Sequence, residues 1–189
     1  MIKMRCGREL IKNNDTIYLN EMTMKNYKLI WLGIFCCLQP LILFAQRGEM
    51  IRKAFLDPKS DQVLVVAHRG NWRSAPENSV AAIDSAIQMG VDIVEIDIHK
   101  TKDGQLILMH DDRVDRTTNG KGLIKDYTLA EIKKLKLKDK DGNLTEHIVP
   151  TLEEALLAGK GQIMFNLDKA YSVFDEVYAV LEKPELPVW

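Results

Sequence analysis

Ile93-Val94-Glu95-Ile96-Asp97-Ile98 is an apolar run interrupted at alternate positions by carboxylates. Side chains of a strand alternate with period two, so Val94, Ile96 and Ile98 share one face and Glu95 and Asp97 the other. Two carboxylates side by side on a buried strand repel each other and are costly to remove from water. A hard divalent cation relieves both costs, and oxygen ligands are what Mg2+ and Ca2+ take. An E-x-D pair alone equally suits a strand whose polar face meets solvent, so its neighbours decide.

Working outward, Val63–Val66 is a short continuous apolar run suited to a buried parallel strand. Ser79–Met89 follows with Val80, Ile83 and Ile87 at helical spacing, and Gly90 supplies the stop. The quoted strand extends over Ile93–His99. Lys102-Asp103-Gly104 is a turn leading to Leu106–Met109. Thr128 with Glu131, and Thr151 with Glu154, are capping boxes. The first precedes a helical pattern through Leu129, Ile132 and Leu135; the second opens a helix closed by Gly159. Ile163–Asp168 is a third core strand, and an amphipathic helix is expected over Ser172–Glu182. Alternating β and α elements imply a parallel α/β architecture. About three β/α units fit, whereas an eightfold barrel takes about 250 residues. The chain therefore reads as the N-terminal portion of a (β/α)8 barrel, truncated, with a smaller open sheet as the alternative.

The first strand runs into Ala67-His68-Arg69-Gly70, which sets an imidazole and a guanidinium at its C-terminal end, where parallel α/β proteins bind ligands. The strand after the turn runs into Met109-His110-Asp111. His suits proton transfer near neutral pH and Arg suits planar recognition of a phosphate. Two histidines and an acidic pair at strand ends make an acid, a base and a metal site.

The string AHRGNWRSAPENSVAAIDSAIQMGVDIVEIDIHKTKDGQLILMHDDRVDRTTNGKG, residues 67–122, resembles the N-terminal signature of the glycerophosphodiester phosphodiesterases. H-R-G, P-E-N-S, E-x-D, T-K-D-G, H-D and D-R-T-T-x-G-x-G occur in the family's order, followed by P-T-L-E-E. The resemblance runs from Val63 to about Leu181. It implies a TIM barrel of the phosphatidylinositol-phosphodiesterase-like type. It also implies metal-dependent hydrolysis of a small glycerophosphodiester to sn-glycerol 3-phosphate and an alcohol, in lipid and glycerol metabolism. His68 and His110 match the acid–base pair, with His68 read as base and His110 as acid. Glu95 and Asp97 match two ligands of a divalent metal, Mg2+ or Ca2+, and Arg69 a phosphate-contacting arginine. The family's third ligand is a glutamate in N-x-E-x-K. This chain has Asn166-Leu167-Asp168-Lys169, so Asp168 takes the ligand's place and the lysine comes one residue early. Strand alternation then directs Lys169 away from Asp168. The competing readings are a catalytically inactive fragment and a related phosphodiesterase acting on intact phospholipids.

Other residues stay open or unassigned. Asn78 suits either a loop supporting the site or a turn before a helix. The glycines of Asp115–Gly122 are read as shaping the backbone. His99 shares the carboxylate face without an assigned role, and His147 is read as a surface residue. Lys133–Lys138 is read as a solvated basic face, diluted by Asp139 and Asp141.

Of 189 residues, 46% are hydrophobic and 28% charged, as in an ordinary globular protein, and the net charge of −1 gives no basic footprint for nucleic acid. Leu29–Ala45 carries no charge and follows Lys25 and Lys28, as a secretory signal peptide does. Met24 is the natural start, which makes 1–23 an over-extended beginning, 24–45 the signal peptide, 46–60 a linker and 61–189 the partial catalytic domain. Export to the periplasm or medium follows, with cleavage after Ala45 and no membrane span thereafter; an uncleaved anchor is the alternative. Cys36 and Cys37 follow Ile34 and Phe35 rather than small residues, which argues against lipid attachment. All three cysteines lie upstream of the domain, leaving no thiolate ligand within it.

Overall fold

A computed structural model describes residues 47–184 and Leu186, and the expected leader and the segment before it lie outside the described residues. The fold is organised around β2 (Ile93–Lys100). It pairs in parallel with β1 (Val66–His68), His68 beside Glu95, and with β6 (Met164–Asp168), Asp97 beside Asp168. Both partners pair with Ile93–Glu95, so they flank β2 on opposite sides. The C-terminal part of β2 pairs antiparallel with β3 (Leu106–Leu108). Two further strands, β4 (Lys136–Lys138) and β5 (Leu144–Ile148), form a separate hairpin.

The alternation read from sequence sets the layers. Val94, Ile96 and Ile98 are buried against Ile83 and Ala86 of α2 (Val80–Gln88) and Leu152, Ala155 and Leu156 of α4 (Leu152–Gly159). Complete burial of a side chain such as Ile96 contributes about 1.5–3 kcal/mol, and Ile96→Ala would cost on the order of 2–5 kcal/mol. The helices thus cover one face of the sheet and leave Glu95 and Asp97 on the other. Ser79 caps α2, its hydroxyl accepting from Ala82 N at 3.1 Å and donating to Pro76 O at 2.6 Å. Both capping boxes form as expected, at Thr128–Glu131 and Thr151–Glu154.

A second core, built on Ile107, Met109, Val114, Ile124, Ile132, Leu137 and Val149, lies within the stretch between β2 and α4. It anchors the loop that carries His110 and the polar residues after it. The segment holds α3 (Leu129–Ile132), one turn only, because the chain extends again at Lys136 and pairs with β5. Leu135 is therefore outside the helix that its spacing suggested, and Lys136-Leu137-Lys138 alternates as a strand with Leu137 inward.

Two further expectations change. The run Val63–Val66 is not a buried strand: β1 starts only at Val66, at the sheet edge, and Val63, Val65 and Val66 are exposed. Residues 47–56, within the expected linker, form a helix, α1. Ile51 is buried, and the Arg47 guanidinium donates to the carbonyls of Gln162, Gly90 and Val91 at 2.6–2.8 Å. Met50, Ile51, Ala54 and Phe55 recur at helical spacing, but Ile51 is buried while Met50, Phe55 and Leu56 are exposed, so the helix is held more by its polar anchor than by an apolar face. At the C-terminal end, a 3-10 turn over Ala170–Val173 leads into α5 (Phe174–Leu181), splitting the helix expected over Ser172–Glu182.

Candidate active site

Glu95 and Asp97 leave β2 on the face opposite the helices and are 7% and 0% exposed. Asp168 lies directly beside Asp97 in the strand register. Glu95, Asp97 and Asp168 each offer a carboxylate oxygen, all within 4.8 Å of one another. Asp97 Oδ1 is buried and accepts no hydrogen bond. Three clustered carboxylates, one with an oxygen lacking a donor, fit a hard divalent cation, and this group could hold one.

Positive groups surround the cluster. Arg69 sits just beyond β1 in the left-handed region, φ 56°, followed by Gly70 at φ 75°. This reversal turns the Arg69 backbone N–H onto Glu95 Oε2 at 2.9 Å and its guanidinium onto Glu77 Oε1 at 3.1 Å, with Nε 3.5 Å from Asp97 Oδ2. His68 Nε2 lies 3.9 Å from Glu95 Oε2, on an imidazole that is largely exposed.

Lys169 also belongs here, contrary to the expectation from strand alternation. Its backbone is left-handed, φ 61°, so alternation stops at Asp168. Its Nζ stands 3.4 Å from Asp97 Oδ1 and donates to the His110 carbonyl. The turn compensates for the lysine's early place in the sequence.

Asn78 resolves in favour of the site. It is 2% exposed, at φ 55°, and Ser79 rather than Asn78 caps α2. Its amide holds Asp97 at both ends, donating from Nδ2 to Oδ2 at 2.8 Å and accepting at Oδ1 from Asp97 N at 3.1 Å. The buried carboxylate is thereby fixed in one orientation.

His110 follows β3, its Nδ1 2.7 Å from Asp111 Oδ1. Arg116 donates to both Asp111 oxygens, from Nε at 2.7 Å and from Nη2 at 3.0 Å. It also donates to both Glu77 oxygens at 2.8 and 2.9 Å. The Arg116 hydrogen bonds hold the Asp111 carboxyl well below the usual carboxylate range, against the opposing effect of burial. For Glu77, burial pushes upward, but hydrogen bonds and charge from Arg116 and Arg69 outweigh it and the pKa is lowered. Asp111, Arg116, Glu77 and Lys169 were given no place at the site by sequence reasoning. P-E-N and D-R-T-T marked Glu77 and Arg116 as motif members, yet no spacing rule joins residues 39 positions apart.

The structure thus brings Glu95, Asp97, Asp168, Arg69 and His68 to one end of the parallel strands, with His110 tied to it through Lys169. His99 supports the His110 loop, Nε2 3.3 Å from the His110 carbonyl. His147 is on the surface, as expected. Residues 68–186 match the sequence profile of the glycerophosphoryl diester phosphodiesterase family. The chain belongs to this family.

A glycerophosphodiester phosphodiesterase of Caldanaerobacter subterraneus subsp. tengcongensis is 45% identical over 109 residues, covering 57% of this chain and 45% of that protein. One from Bacillus subtilis is 39% identical over 137 residues, covering 66% and 43%. Among solved structures, a glycerophosphoryl diester phosphodiesterase from Parabacteroides distasonis gives a TM-score of 0.61 at 30% identity, over 71% of this chain and 49% of that one. A phosphodiesterase of Oleispira antarctica in complex with the product sn-glycerol-3-phosphate gives 0.58 at 34% identity, over 64% and 52%. The chain spans about half the length of these relatives. In this chain β1, β2 and β6 are three parallel strands of the family's TIM barrel.

Proposed function

We propose that the protein hydrolyses glycerophosphodiesters to sn-glycerol 3-phosphate and an alcohol, using Mg2+ or Ca2+ held by Glu95, Asp97 and Asp168. The observation that carries this reading is the convergence of three carboxylates with Arg69 and Lys169 at Asp97. A cation bound there supplies Lewis acidity at a phosphoryl oxygen. Arg69 and Lys169 add positive charge where an anionic diester docks and where further negative charge develops on its oxygens.

As the nucleophile's oxygen bonds to phosphorus, the bond to the alcohol oxygen breaks. One proton must leave the nucleophile and one must reach the alkoxide. His68, exposed beside Glu95, takes the first. His110 gives the second, its ring oriented by the 2.7 Å contact between Nδ1 and Asp111 Oδ1. The product held by the Oleispira antarctica relative supports sn-glycerol 3-phosphate as this protein's product. Lipid and glycerol metabolism is the setting that such a substrate implies. The uncharged stretch Leu29–Ala45 after Lys25 and Lys28 supports export.

The test is release of glycerol 3-phosphate from glycerophosphocholine and glycerophosphoethanolamine by purified protein, with and without a chelator, beside intact phosphatidylcholine. Release from the deacylated diesters should vanish with chelator and in His110→Ala. Turnover indifferent to chelation, or retained in that variant, overturns the mechanism. Turnover of intact lipid alone assigns the other substrate class.

A further inference from the structure

Arg116 joins the His110 loop to the Arg69 turn without itself lying at the carboxylate cluster. Its Nε and Nη2 hold Asp111, and its Nη1 and Nη2 hold Glu77. Asp111 Oδ1, which accepts from Nη2, is also the atom 2.7 Å from His110 Nδ1. Glu77 Oε1, which accepts from Nη2, is also the atom that takes Arg69 Nη1. A guanidinium is planar and its donors are fixed in a fork, so two carboxylates bound along its edges are fixed relative to each other. An exposed ion pair contributes little by itself, but a bidentate network is the exception.

We propose that Arg116 is a positioning residue that acts through Asp111 to hold His110 by its Nδ1 proton, so that Nε2 is the nitrogen that gives its proton to the departing alkoxide and the neutral ring is left with its proton on Nδ1, and through Glu77 to aim Arg69. This rests on reading His110 as the proton-transfer group. Without the fork, Asp111 is a partly exposed carboxylate free to rotate away, and a neutral imidazole in water favours the proton on Nε2. A ring that keeps its proton on Nε2 gives up the one on Nδ1 instead, on the side away from the substrate, and a misplaced catalytic group costs on the order of 100-fold in rate.

The imidazole nitrogens of the intact protein, read by 15N NMR, should show His110 as the Nδ1–H tautomer in its neutral form. Arg116→Ala should move it towards Nε2–H, with Arg116→Lys, which keeps the charge and loses the fork, in between. In turnover, kcat of Arg116→Ala should fall about 10- to 100-fold, and added guanidinium chloride should restore part of it. Arg116 lines an open pocket of about 270 Å3 with Trp72, Thr117 and Lys138, through which the small cation can enter. Arg116→Ala combined with Asp111→Asn should retain His110 in the same tautomer as Asp111→Asn alone.

A His110 tautomer unchanged in both single variants overturns the proposal, whether or not the protein turns over glycerophosphodiesters. So does a double variant whose tautomer departs from that of Asp111→Asn. Should Arg116→Ala not fold, Arg116→Lys decides by the same spectrum. Lack of turnover in the unaltered protein strikes the functional reading instead, and the spectrum still answers for Arg116.

Discussion

Lys169 Nζ stands 3.4 Å from Asp97 Oδ1, across neighbouring strands, because the chain turns left-handed immediately after Asp168. The ammonium offsets charge at the very oxygen that lacks a hydrogen-bond donor. On the proposed function it would compete with a cation for Asp97 while also meeting an anionic substrate.

These two roles predict opposite signs for one variant. Lys169→Met removes a competitor, so Mg2+ or Ca2+ should bind more tightly, by about 1 kcal/mol or roughly fivefold for a partly exposed charge. Hydrolysis should fall in the same variant. Calorimetric titration of each metal into both proteins reads the first effect, and weaker metal binding in Lys169→Met would contradict the arrangement.

Asn78 separates side-chain support from backbone strain. Its amide makes two buried hydrogen bonds to Asp97, and its backbone sits at φ 55°. Asn78→Ala should lose about 2–4 kcal/mol from the bonds, with about 1 kcal/mol more from forcing Ala into the left-handed region. Asn78→Gly loses the bonds without that strain. Urea denaturation should therefore rank Gly above Ala, and equal midpoints would remove the strain argument.

How much of this was legible in the sequence depends on whether a residue's role is local. The period-two pattern of β2 placed Glu95 and Asp97 on one face, and the structure keeps them there with Val94, Ile96 and Ile98 against the helices. The capping boxes at Thr128 and Thr151 are likewise local, and both form. Lys169 was misdirected because alternation presumes that the strand continues, and one left-handed residue ends it. Helix α1 was hidden because Arg47 anchors it by hydrogen bonds to carbonyls far along the chain. Arg116 and Glu77 were motif letters without a partner until folding joined their loops.

Acid should loosen this joint, with a definite sign. Asp111 and Glu77 both have folded pKa values below their ordinary ones, chiefly, for Asp111, through Arg116 hydrogen bonds. Groups depressed on folding contribute stability that is full above the unfolded pKa, about 4, and is lost as pH falls through the folded value. Arg116→Ala should thus be less stable than the unaltered protein at pH 7 by about 1 kcal/mol after discounting for solvent, or about 4 °C in Tm. The gap should shrink steadily below about pH 4. Thermal melts at stepped pH check it, and a gap constant down to pH 2.5 (about 1.5 units below the carboxylate reference) would mean that the carboxylates do not carry the effect.

Gly70 and Gly90 offer a matched test of why the H-R-G turn needs its glycine. Both sit in the left-handed region, at φ 75° and 76°. A Cβ at Gly70 would meet Ala82 Cβ at 2.8 Å and the Ala82 carbonyl at 2.9 Å, whereas one at Gly90 meets nothing within 4 Å. Gly90→Ala should cost only the backbone term, about 1–2 kcal/mol. Gly70→Ala adds overpacking of about 1–3 kcal/mol, because Ala82 is buried in the first turn of α2 and Asn71 N donates to its carbonyl at 2.9 Å. The turn can relieve the clash only by lifting off α2, and it carries Arg69 with it, away from Glu77 and Asp97. Gly70→Ala should therefore lose both stability and affinity for inorganic phosphate, while Gly90→Ala loses stability alone. Equal phosphate affinity in the two variants would show that the close approach of Gly70 to α2 does not set the position of Arg69.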